Sequence, residues 1–67
     1  MTKIRWEFVL IDAQGRPDPW GYRSDEEAAK KRLAEIQDWI DTRPAWKGYK
    51  IECYKVISTE TRHPAGF

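Results

Sequence analysis

Cysteine, histidine and methionine each occur once in this 67-residue chain. A lone Cys53 closes no disulfide within the chain, and Cys53 with His63 is too small a set for a Cys/His zinc site in one chain. No apolar run approaches the roughly 20 residues a membrane span needs. Lys and Arg number 12 against 11 Asp and Glu, so the basic excess of a dedicated nucleic-acid binder is missing. Ile, Leu, Val and Phe total only 12 residues, a small stock of core material for a chain this charged. The N-terminus, Met-Thr-Lys-Ile-Arg-Trp, lacks the apolar segment of a signal peptide. With one free thiol, this points to a reducing, cytoplasmic setting, and the chain reads as a complete small gene product.

What is present is aromatic bulk. Four Trp and three Tyr let a small core fill with few residues. Over residues 3–11, Ile4, Trp6, Phe8 and Leu10 alternate with Lys3, Arg5, Glu7, Val9 and Ile11, the period of a strand. Asp12 to Pro19 carries Asp, Gly and two Pro and predicts a loop, after which Trp20–Arg23 forms a short returning strand. Ser24 with Glu27 three residues on has the form of a capping box. It predicts a helix running to about Thr42, stopped by Pro44. Ala29, Leu33, Ile36 and Ile40 make its apolar stripe, and Trp39 lies beside it. Residues 49–58 predict another strand. There Lys55 interrupts the face of Tyr49, Ile51, Cys53 and Ile57, which predicts a bulge. Residues 59–67 have no period and predict a flexible C-terminal tail.

The expected fold is therefore a single α+β domain over residues 1–58. A small three-stranded antiparallel sheet, in ββαβ chain order and 2-1-3 spatial order, carries one helix on one face. Ile4, Trp6, Phe8, Leu10, Ile51 and Cys53 would be buried against Ala29, Leu33, Ile36 and Ile40.

No catalytic set emerges. Cys53 reads as a small core hydrophobe, His63 falls in the predicted tail, and the paired carboxylates Asp25/Glu26 and Asp38/Asp41 lie on a solvated helix surface. No Gly-rich phosphate loop and no paired metal ligands occur. The expectation is a non-enzyme without metal or small-molecule cofactor.

The run Tyr22-Arg23-Ser24-Asp25-Glu26-Glu27-Ala28-Ala29 resembles the strand-to-helix step of plant AP2-type and phage arm-type DNA-binding domains. The resemblance implies a sheet lying in a major groove with a helix behind it. It covers eight residues, and the element order differs: those domains end on the helix, whereas here a strand follows. Charge by segment is +1 for residues 1–23, −2 for 24–43 and +2 for 44–67. A nucleic-acid site would accordingly use Arg5, Lys47, Lys50, Tyr54 and Lys55, with aromatics among cations to stack on bases. Glu7 and Glu52 on the same sheet face work against phosphate binding.

The favoured expectation is protein recognition. Val9, Ile11, Tyr54 and Val56 fall on the sheet face away from the helix, an apolar patch unless loops cover it. Arg5, Glu7 and Glu52 give that face mixed charge, which supplies register, and Trp20 and Trp46 are candidate anchors at its rim. The partner would be another protein or a second copy of the chain. An adaptor, a subunit or a small inhibitor all fit. Phage-encoded inhibitors of host systems are often this small, an association by size alone.

Overall fold

A computed structural model of the chain describes residues 3–57 and 61–66. The alternating N-terminal segment forms strand β1, Ile4–Ile11. Its inward residues Trp6, Phe8 and Leu10 are buried, and Phe8 is the deepest of the three. Ile4, expected in the core, stands 39% exposed at the open end of the strand.

The returning strand is longer than expected. β2 spans Pro17–Arg23 and pairs antiparallel with β1. Its two prolines are tolerated because β2 is an edge strand, where a missing N–H faces solvent rather than a neighbour. The register slips between Glu7↔Tyr22 and Val9↔Pro19, so β2 carries one extra residue at Trp20–Gly21. Gly21 has φ +96°, the left-handed backbone that such a bulge favours and that glycine adopts without strain. The bulge sends Trp20 to the helix side and Tyr22 to the opposite side, although their spacing alone would place both on one face.

The helix α1 runs Glu26–Thr42. Its cap is Asp25 rather than Ser24: the Asp25 carboxylate accepts the Ala28 N–H at 3.0 Å, and Glu26 and Glu27 fall in the first turn. The start is thus shifted by one residue from the expected capping box. Asp and Ser are near-equal caps, and the backbone carbonyl of Asp25 takes the first helical bond from Ala29 at 2.9 Å. Ala29, Ile36 and Ile40 are buried against β1, with Leu33 half-buried beside them. After Arg43 a 3-10 turn, Pro44–Trp46, leads back to the sheet.

β3, Lys50–Ile57, pairs antiparallel with β1 without any break from Ile4↔Ile57 to Ile11↔Lys50. The bulge expected at Lys55 is therefore absent. Lys55 stays in register with Trp6 on the helix side, half-buried, with its ammonium 5.9 Å from the Trp6 ring centre. Cys53 and Ile51 pack against the core, half-buried.

The expected tail is corrected over residues 61–64. Thr61–Pro64 forms a further strand, β4, antiparallel to β3, and the Ala65 N–H donates to the Cys53 carbonyl at 3.0 Å. All four β4 residues are exposed, so no apolar period announces it. Backbone pairing and an ion pair to β1 hold it instead. Residues 59, 60 and 67 of the expected tail, and residue 58 of the expected strand, lie outside the described residues. The sheet is four-stranded in the order β2-β1-β3-β4, in place of three strands in the order 2-1-3. The class remains α+β, one helix against an antiparallel sheet. No helix among the described residues is long and apolar enough to cross a membrane.

Candidate functional site

The residues proposed from sequence divide between two sides of the sheet. On the face away from α1 the register brings Arg5, Glu7, Val9 and Ile11 of β1 beside Val56, Tyr54, Glu52 and Lys50 of β3. Tyr22 and Arg62 join them from the two edge strands. Glu7 sits at the centre: Arg5 Nη2 lies 2.6 Å from its Oε2, and Arg62 Nη2 lies 2.9 Å from its Oε1. Arg62 reaches Glu7 from β4 by crossing β3, with its guanidinium 5.2 Å from the Tyr54 ring centre. The Arg5 guanidinium lies 5.4 Å from the Tyr22 ring centre. The Tyr54 hydroxyl donates to Glu52 Oε1 at 2.9 Å. That bond, then burial and the Glu52 charge, push the Tyr54 phenol above its ordinary value, while Arg62 pulls the other way.

The result is a strip, Tyr22–Arg5–Glu7–Arg62–Tyr54–Glu52, running across all four strands. Each exposed ion pair contributes little to stability. Their shared carboxylate nevertheless fixes two long cationic side chains in one geometry, and that ordering need not be repeated on binding. Val56, expected in an exposed apolar patch, is instead buried at 3% exposure; it lies in register between Arg5 and Arg62. Val9 and Ile11 are half-buried. The face is therefore more polar than its sequence pattern implied.

The set proposed for nucleic acid does not form one surface. Arg5, Lys50 and Tyr54 share the open face, Lys55 lies on the helix side, and Lys47 follows the 3-10 turn at the helix end. Arg5 and Arg62 already face Glu7, so a phosphate would compete with a carboxylate at close range.

Trp20 and Trp46, expected as anchors at the rim of the open face, do not stand there. They pack on the helix side, beside the C-terminal half of α1. Ring centres are 5.3 Å apart for Trp20–Trp39, 4.5 Å for Trp39–Trp46, 5.7 Å for Trp20–Trp46 and 4.9 Å for Trp46–Tyr49. All four rings are half-buried. The sequence marked Trp20 and Trp46 singly, and Trp39 as a flank of the helix stripe, but the cluster they build with Tyr49 depends on the β2 bulge and the 3-10 turn. Gly48, in left-handed backbone at φ +89°, brings the segment before Tyr49 close to the first loop, where a Cβ on it would stand 3.3 Å from Ala13.

Burial raises the Cys53 thiol above its ordinary value, the opposite of what an activated nucleophile requires. Among the described residues no group of three His, Cys, Asp or Glu side chains is placed to hold a metal ion. Comparison with protein-family models, with curated proteins and with solved structures returned no match.

Proposed function

We propose that this chain is a small non-catalytic protein-binding module that docks its partner on the sheet face opposite α1. The observation that carries the reading is the Arg5–Glu7–Arg62 bridge. One carboxylate on β1 holds a cation of its own strand and, across β3, a cation of β4, on a face that no described element covers. Two tyrosines flank it, and Tyr22 is 56% exposed. Arg and Tyr are the residue types that dominate binding hot spots. Fixed alternating charge supplies register, and Val9, Ile11 and the tyrosine rings supply apolar area. An adaptor, a subunit or an inhibitor directed at another protein all fit this surface.

The test is site-specific photocrosslinking in cells. A crosslinking residue placed at Tyr22 is expected to yield one discrete adduct. The same residue at Glu35, on the outer face of α1, is expected to yield none. An adduct from position 35 only, or the same adduct from both positions, would reject the sheet face as the docking surface.

A further inference from the structure

A second site, independent of the sheet face, lies on the helix side. Trp20, Trp46 and Tyr49 line a cleft of about 310 Å3, whose remaining wall comes from Leu10, Pro17 and the first loop. Its rings do not stack. Trp20 meets Trp46 at 82° and Trp46 meets Tyr49 at 69°, so neighbouring walls stand close to perpendicular. Trp39 packs behind Trp46 and steadies it.

The charges around the cleft are unequal in effect. Asp12 and Arg16 cancel: the Arg16 side chain donates to Asp12 Oδ2 at 2.9 Å and its backbone N–H to Oδ1 at 2.8 Å. Asp18 is left as the uncancelled charge among the lining residues. Its Oδ2 accepts the Trp20 indole N–H at 3.2 Å. An anion on that N–H pushes electron density into the indole and makes its face more attractive to a cation.

The chain's own cations show the same preference elsewhere. Arg5 lies over Tyr22, Arg43 over Trp39, Lys55 over Trp6 and Arg62 over Tyr54. Among the described residues no cation lies over Trp20, Trp46 or Tyr49. Arg16, the one cation in the cleft wall, is held by Asp12 instead.

We propose that this cleft binds a methylated ammonium head, with Trp20, Trp46 and Tyr49 as its walls and Asp18 as its counter-charge. Perpendicular aromatic walls with one carboxylate suit a cation too bulky and too poorly hydrated to prefer water. An anion is opposed by Asp18. A neutral apolar group gains the ring contacts but nothing from the charge.

The test is a titration of the intact chain, followed by the indole N–H signals in nuclear magnetic resonance. Choline, its neutral carbon isostere 3,3-dimethylbutanol, and a short peptide carrying trimethyllysine are compared. Saturable binding of a methylammonium ligand, stronger than the isostere by about tenfold, is expected. Asp18→Asn, a change at an exposed edge position, is expected to reduce that preference. Tighter binding of the peptide than of choline assigns the head to a modified side chain, and equal or tighter binding of choline assigns it to a free quaternary ammonium compound. Equal binding of choline and the isostere, no saturable shift with either cationic ligand, or an unchanged preference in Asp18→Asn overturns the proposal.

Discussion

Single residues decide where the aromatic side chains go. Gly21 is the clearest case, because its positive φ permits the bulge that separates Trp20 from Tyr22. A Cβ there would meet nothing within 4 Å, so Gly21→Ala carries only the cost of left-handed backbone. We expect a loss of about 1–2 kcal/mol in urea unfolding, with a changed environment for Trp20 in fluorescence; an unchanged midpoint would mean that the bulge tolerates ordinary backbone. Asp12 makes a second test at this scale. The backbone N–H of Arg16 holds its carboxyl below the ordinary range, helped by the Arg16 side chain and the Gln14 N–H and opposed by burial. A depressed folded-state value means stability that is present above the unfolded value near 4 and is lost as pH falls through the folded value. The unfolding midpoints of the parent and Asp12→Asn should therefore converge on acidification below about pH 4. A gap that stays constant into acid would show that the carboxylate charge plays no part in ordering the loop.

At the scale of elements, α1 offers a direct choice between adjacent caps. Asp25 accepts the Ala28 N–H, while Ser24 has no capping role in the structure. Asp25→Ala should cost about 1 kcal/mol and Ser24→Ala much less, read as the helical signal lost on thermal unfolding; the reverse ranking would restore the capping box that the sequence suggests. β1 and α1 stand out because each buries one face, and burial writes a period of two or 3.6 into the sequence. The start of α1 was off by one, since Ser24 and Asp25 are chemically interchangeable there. The first half of β2 was hidden by Pro17 and Pro19, which read as breakers until the strand is known to lie at an edge. β4 was hidden because Thr61, Arg62, His63 and Pro64 bury nothing. Its anchor, Arg62 on Glu7, joins residues 55 positions apart, which no local pattern encodes. The candidate site was half legible for the same reason. Alternation placed Arg5, Glu7, Glu52 and Tyr54 on one face, but the partner that completes their strip comes from β4.

For the whole molecule, edges and core set different limits. Pro17, Pro19 and the bulge blunt the β2 edge, and β4 is short, exposed and closed by Pro64, so edge-to-edge growth is disfavoured at both ends of the sheet. The core allows far less slack. A domain this small rarely draws more than about 3–5 kcal/mol from one hydrophobic core. The described buried cluster is only Trp6, Phe8, Leu10, Ala29, Ile36 and Ile40. Phe8 lies at its centre with 1% exposure, on the central strand β1. Truncating a buried Phe to Ala costs about 3–5 kcal/mol, the same size as the whole reserve. Phe8→Ala should therefore lose the cooperative unfolding transition altogether and show collapsed amide dispersion in nuclear magnetic resonance. Phe8→Leu, which removes less volume, should keep the transition at a lower midpoint. A cooperative transition surviving in Phe8→Ala would mean that the aromatic cluster on the helix side, rather than the β1–α1 contact, holds most of the stability. The cleft between Trp20, Trp46 and Tyr49 would then be part of the structural core.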